Sequence, residues 1–201
     1  QASLLPGPFK SFECRNIMVA MSPDTVPICA EVGATQAMFA YKPWEDVVGD
    51  IQNHRSLFLQ HHGVEAPPVM TADLTFCADS ADEAEEGAHK YVARYFESLA
   101  EQYEIFGEHL KESKSYSHYS DAGSALEIVG HEAMVEGFVN ANVWGTPQQI
   151  LEKYEARGKI IGDFQANTIF SYSGMSYDTA KNSMTTFAEK VMPELRSWGK
   201  K

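Results

Sequence analysis

Two hydroxyl side chains three residues apart, Ser22 and Thr25, stand where an apolar run gives way to a helix start, an arrangement able to grip an oxyanion. Ser22 takes the N-cap position and Pro23 the first helical position, where a missing N–H costs nothing. The N–H groups of Asp24 and Thr25 then have no helical partners, and with the two hydroxyls they form a donor-rich pocket at the positive end of the helix dipole. A phosphate suits it. The same residues also read as an ordinary capped helix, and the Asp24 carboxylate tolerates an anion only if it turns outward. Polar residues on otherwise apolar strands make a second group of candidates: Asp73 and Thr75 on one, Gln165 and Asn167 on another. Facing the inside of a closed barrel near the strand ends, they would line an active centre; elsewhere they would fix register through buried hydrogen bonds.

Alternating strands and helices position these groups. Ile17 to Met21 is an unbroken apolar run, the pattern of a parallel strand covered on both faces, and Val26, Ile28, Cys29 and Val32 supply the apolar positions of the helix that Gly33 stops. Ala37 to Tyr41 repeats the strand, and the next helix carries Trp44, Val47, Val48, Ile51 and Phe58 on one stripe before Gly63. From Val69 to Cys77, Met70, Ala72, Leu74 and Phe76 alternate with Thr71, Asp73 and Thr75, so this strand has one apolar and one polar face. Ser80 and Glu83 open a long helix through Tyr91, Tyr95 and Leu99. The pattern weakens over 107–140, where a lid insertion is expected with a helix from Leu126 to Phe138. Thr146, Pro147 and Gln149 restore a helix start, Phe164 to Ser171 is the fourth strand, and Ala180, Met184, Phe187 and Val191 mark the last helix, which Pro193 bends or ends. Four βα units make half of an eight-stranded barrel or most of a small doubly wound sheet, and the polar strand faces favour the α/β barrel.

Composition narrows the class. With 201 residues, 44% of them hydrophobic, the chain is long enough for one sizeable core, and a net charge of -12 with no basic cluster disfavours nucleic acid and anionic membrane as partners. Cys14, Cys29 and Cys77 are odd in number and far apart, so buried thiols in a reducing cytoplasm are expected rather than a disulfide framework. The seven histidines form no metal-binding spacing, read as mostly surface residues, and place none at a metal site; His118 with Tyr116 and Tyr119 falls in the lid tract. No Gly-x-Gly-x-x-Gly and no Gly-x-Ser-x-Gly is present, so neither a nicotinamide-type site nor a hydrolase elbow is supported.

Five tracts together resemble the C-terminal half of bacterial luciferase-like flavin monooxygenases: Ile17-Met-Val-Ala-Met-Ser-Pro-Asp-Thr25, Ala30-Glu-Val-Gly-Ala34, Ala78-Asp-Ser-Ala-Asp-Glu-Ala84, Trp144-Gly-Thr-Pro-Gln-Gln149 and Ser183-Met-Thr-Thr-Phe-Ala-Glu-Lys-Val-Met-Pro-Glu-Leu195. Their order and spacing carry the resemblance, which spans nearly the whole chain. It implies a (β/α)8 TIM barrel to which residues 1–201 contribute strands five to eight. It also implies reduced FMN, delivered by a separate reductase, that reacts with O2 to oxidise a small organic substrate; some relatives use F420 for hydride transfer instead. The family's phosphate site falls on Met21, Ser22 and Thr25, with Val19 near the flavin ring system. Where the family has an acidic residue acting through its main chain, this chain has Met21, so only the backbone role carries over. The family's mobile loop corresponds to the tract around Lys114 to Gly137.

The first four strands of such a barrel, with the family's catalytic histidine region, have no counterpart in these residues. A half-barrel exposes two strand edges and an apolar face, so a partner is expected: the N-terminal half, in the same polypeptide or a second chain, and a dimer beyond that. The different-class alternative is a non-catalytic flavin-binding or stabilising subunit of the same fold.

Overall fold

The computed structural model describes residues 6–7, 9–12, 15–102 and 130–198. Cys14 and most of the expected lid, including His118, lie outside these residues. The described elements are β1 (Ile17–Val19), α1 (Thr25–Glu31), β2 (Thr35–Phe39), α2 (Trp44–His62), β3 (Val69–Cys77) and α3 (Ala81–Gly87). A π-helical turn (Ala88–Val92) follows, then α4 (Ala93–Gln102), α5 (His131–Ala141), β4 (Val143–Gly145), α6 (Pro147–Ile161), β5 (Phe164–Ile169), α7 (Tyr177–Lys190) and α8 (Met192–Trp198).

All strand pairs are parallel, and β1, β2, β3 and β5 lie side by side in that order. The short β4, unmarked in the sequence pattern, pairs with Thr75–Cys77, beyond the point where β2 ends. Asn142 fills the branch point: its Nδ2 donates to Ala40 O and Phe138 O, and its Oδ1 accepts from Leu74 N–H, replacing ladder bonds that β2 no longer supplies.

Register fixes what each face carries. Val19, Ala37, Met70 and Gln165 are lateral partners on one rung and Phe39, Ala72 and Asn167 on the next, so these side chains share one face of the sheet. The opposite face carries Met38, Val69, Thr71 and Asp73 and packs against the crossover helices. Met38 and Val69 bury against Trp44, Val47 and Ile51 of α2, whereas Ala20 meets Val26 and Cys29 of α1. Cys77 meets Ile150 and Tyr154 of α6 and Phe187 of α7. A second helical group, α4, α5 and the π-turn, covers the other face only at its C-terminal end, where Leu74 and Tyr172 pack against Val92, Phe96 and Phe138.

The expectation that β1 is covered on both faces is therefore corrected. Ile17 is 56% and Val19 53% exposed, and Phe39 is 49% exposed, because no element among the described residues packs on this part of the sheet. Ile28, Val32 and Met184, read as buried helix positions, are also exposed; Ala30 and Ser183 take the inward places. Asp73 and Thr75 do not face the open side, as expected of them, but the helices, and both are fully buried. Gln165 and Asn167 do share the open face. His54, read as a surface residue, is buried with its Nε2 3.1 Å from Ala34 O.

The punctuation signals held locally. Gly63 ends α2 in the left-handed region at φ 69°, and Thr146 with Gln149 forms a reciprocal capping box with Pro147 in the first turn of α6. Ser80 caps α3 through Glu83 N–H, but the long helix it opens contains the π-turn instead of running as one regular α-helix. Pro193 lies in the first turn of the separate α8, where its lack of an N–H is harmless. Among the described residues no helix is long and apolar enough to cross a membrane.

Candidate functional site at the end of the first strand

Ser22 follows the C-terminal end of β1 and starts the turn into α1. Its carbonyl accepts from Thr25 N–H at 3.0 Å and Val26 N–H at 3.1 Å, but α1 starts only at Thr25, with Asp24 and not Ser22 at the N-cap position and Pro23 in the turn before it. The two hydroxyls meet at 2.9 Å. Each also serves the other's backbone: Ser22 N–H donates to Thr25 Oγ1 at 3.2 Å and Thr25 N–H approaches Ser22 Oγ at 3.3 Å. Ser22 is buried, Thr25 half-buried and Asp24 exposed. The two hydroxyls are thus held at one point beside the exposed Asp24, but the Thr25 N–H, expected to lack a partner, is taken by Ser22 O.

The same hydroxyl pairing recurs at the head of α7, where Ser176 Oγ and Thr179 Oγ1 lie 2.8 Å apart, so the pair is first of all a helix cap. Position separates the two. Ser176 is exposed, whereas Ser22 is buried at a strand end beside Val19, whose side chain lies on the open sheet face. Met21 turns its Sδ toward Phe39 N–H at 3.5 Å, which leaves its main chain as the part available to a ligand. Of the residues singled out by the sequence, the structure therefore brings Met21, Ser22 and Thr25 together, with Val19 on the adjoining face.

A hydrogen-bond frame holds this strand end. Gln36, fully buried on β2, donates from Nε2 to Ala20 O at 2.9 Å, and Ala20 N–H donates to Ala37 O. Sequence reasoning missed Gln36, and its only signal was a polar residue inside a short apolar strand.

It missed a larger feature too. Arg157 of α6 is 3% exposed and grips Asp73 with two bonds, Nη2 to Oδ1 at 2.6 Å and Nη1 to Oδ2 at 2.7 Å, while Nη1 also reaches Thr71 Oγ1 at 2.9 Å. Its guanidinium carbon lies 4.3 Å from the Trp44 ring centroid and 5.3 Å from that of Phe164. The clue was helical spacing, since Arg157 shares the stripe of Ile150, Tyr154 and Ile161. This pair faces away from the open side and ties α6 to β3.

Several shifted titrations lie beneath or on the covering helices. Burial pushes the thiols of Cys29 and Cys77 up to about 11 and about 12, which leaves them protonated and inert. Burial, followed by the nearby Arg157, lowers Lys153 to about 8, and its Nζ sits 4.0 Å from the Trp144 ring centroid. An open cleft lined by Arg55, Leu59, Glu65 and Asp163 lies at the N-terminal ends of β3 and β5, away from Ser22.

A parallel α/β sheet with polar groups gathered at a strand's C-terminal end defines a class of ligand-binding enzyme folds. The family model for luciferase-like monooxygenases matches residues 2–163, and the chain belongs to that family. No curated protein matches it. Among solved structures, it is similar to EDTA monooxygenase from Chelativorans sp. BNC1, with 14% identity, a TM-score of 0.61 and coverage of 91% of this chain and 44% of that one. The FMN-bound oxygenating constituent of 3,6-diketocamphane monooxygenase from Pseudomonas putida shares 13% identity and a TM-score of 0.55, over 89% of this chain and 47% of that one. The coenzyme F420-dependent tetrahydromethanopterin reductase from Methanopyrus kandleri shares 17% identity and a TM-score of 0.54, over 89% and 50%. The chain spans about half the length of each of these three structures.

Proposed function

We propose that the chain is the flavin-binding half of a luciferase-like monooxygenase, supplying strands five to eight of a (β/α)8 barrel. The open face of Ile17, Val19 and Phe39 is then the barrel interior, closed by four further βα units from the same polypeptide or a second chain, in an assembly that is itself a dimer. The observation that carries the reading is the Ser22–Thr25 hydroxyl pair, 2.9 Å apart at the end of β1 and next to that face. Ser22 and Thr25 hydroxyls and the Met21 main chain bind the phosphate of FMN, and Val19 lies beside the ring system. What supports a phosphate here is the pair of hydroxyls at a helix start.

When bound, reduced FMN from a separate reductase supplies the electrons that activate O2, so that one oxygen atom enters a small organic substrate. This chain's part is to hold the phosphate, orient the cofactor across the apolar rungs and, through the lid tract of 107–140, exclude water. Unpaired, buried Cys29 and Cys77 suit a reducing cytoplasm. The F420-dependent relative shares the fold, so both cofactors belong in the test.

Titration of FMN, riboflavin and F420 against the protein and its Ser22→Ala/Thr25→Ala variant decides the matter. A hydrogen bond to a charged group contributes about 1.5–3 kcal/mol, so losing two lowers FMN affinity by about a hundredfold or more and leaves riboflavin, which lacks the phosphate, unchanged. Unchanged FMN affinity in the double variant overturns the site. FMN binding by the assembled protein with no oxidation across an aldehyde, sulfonate and hydrocarbon panel assigns it instead to the non-catalytic subunit class.

A further inference from the structure

Lys153, half-buried on α6, has no anion. Its Nζ lies 4.0 Å from the centroid of the Trp144 ring, and no carboxylate or carbonyl bonds to it among the described residues. The carboxylates around it are engaged elsewhere. Glu155 pairs with Lys159 at 3.0 Å, Glu152 accepts from Gln148 Nε2 at 2.8 Å, and Asp73 is gripped by Arg157. His89 of the π-turn meets the same indole with ring centroids 6.3 Å apart, and Glu136 of α5, 3.7 Å from that imidazole, accepts from Asn140. Arg157, one turn further along α6, sets a second cation near the ammonium.

An ammonium so placed is kept from water by the helix and the indole, beside a guanidinium that keeps its own proton, with no negative charge to offset either cost. A lysine desolvated next to another cation is an activated nucleophile. With its pKa lowered to about 8, about a quarter of the Lys153 amine is neutral at pH 7.5, against about 0.1% of an ordinary lysine. Lys159 and Lys190 show the contrast, since each sits on a carboxylate, at 3.0 and 2.6 Å. Acylation suits this position, because an amide carries no charge and so removes both the cost of desolvation and the repulsion from Arg157.

We propose that Lys153 is a modification site that takes a small acyl group from an acyl thioester. The amine lone pair attacks the thioester carbonyl, the N–C bond forms as the C–S bond breaks, and the departing thiolate takes up the proton released by nitrogen. Nothing is oxidised or reduced. The site is separate from Ser22 and Thr25 and independent of the flavin reading.

The protein as isolated is incubated with S-acetyl-N-acetylcysteamine, a small neutral thioester, and acetylation of each lysine is followed by peptide mass spectrometry from pH 6.5 to 9.5. At pH 7.5 Lys153 is expected to react at least about fivefold faster than Lys159 or Lys190, because its roughly two-hundredfold excess of neutral amine is only partly offset by the weaker nucleophilicity of a less basic nitrogen. Its rate should level off above about pH 8, whereas theirs keep rising. Gln149→Glu supplies an anion one turn before Lys153 and keeps the capping box with Thr146, so it should slow Lys153 at least about twofold and leave Lys190 unchanged. A smaller advantage for Lys153, a rate that climbs to pH 9.5 without levelling, or an unchanged rate in Gln149→Glu overturns the proposal. If Gln149→Glu fails to fold, the ranking and the pH profile of the unaltered protein decide it alone.

Discussion

Replacing Arg157 by methionine tests the buried pair that holds α6 against β3. Arg157 is 3% and Asp73 0% exposed, so the change strands a carboxylate in the interior with only the Thr71 hydroxyl, 3.4 Å away, to meet it. Breaking such a pair from one side costs about 3–5 kcal/mol, and methionine refills most of the space between Trp44 and Phe164, so the penalty is chiefly electrostatic. Against a total stability of about 5–15 kcal/mol this is about a fifth or more. With a urea slope of about 2–3 kcal/mol per molar, the unfolding midpoint falls by roughly 1–2 M. Asp73→Leu strands the guanidinium and costs a similar amount. The double variant, Asp73→Leu with Arg157→Met, has no buried charge left and should recover most of the loss, so the double-mutant cycle shows coupling of several kcal/mol. Circular dichroism and tryptophan fluorescence in urea measure it, and because the pair is buried, raising salt changes little. A midpoint shift under about 0.3 M for Arg157→Met, or a double variant as unstable as the two singles summed, would refute the reasoning.

His54 makes stability depend on pH. Burial lowers its pKa below 6.5, its bond to Ala34 O works partly against this, and the nearby Arg55 lowers it further. The unfolded chain therefore takes up the proton first, and stability falls as pH drops below about 6.5 and levels off below the folded pKa; urea midpoints from pH 8 to 5 should flatten in a His54→Gln variant. Two glycines should respond in opposite directions. At Gly87 an added Cβ would lie 2.1 Å from the Phe76 ring, so Gly87→Ala destabilises by about 1–3 kcal/mol or more. At Gly49, inside α2, nothing lies within 4 Å, so Gly49→Ala stabilises by about 0.5–1 kcal/mol, read as a rise in the urea midpoint.

Elements whose signals are local were legible in the sequence. The cap at Thr146 and Gln149, the left-handed stop at Gly63 and the Ser22–Thr25 turn each involve groups within a few residues of one another, and short-range sterics and hydrogen bonding settle them before any packing. The alternation along Val69–Cys77 likewise says which residues share a face. It does not say which face is covered, and Asp73 shows the consequence: its neighbours in sequence are the same whether it looks into a barrel or at a helix. The partner that decides the matter, Arg157, is 84 residues away. Ile17 and Val19 make the same point from the other side, since an apolar run records what a residue can tolerate and not what is packed on it.

The sequence by itself determined the βα alternation, the helix starts and stops and the hydroxyl pair at the first of them, because each is written in contiguous residues. Only the tertiary structure decided the branch of β4 around Asn142, the burial of Asp73 under α6, and the seat of Lys153 on the Trp144 ring. Those outcomes depend on register and layer packing, which bring together residues that no local pattern connects.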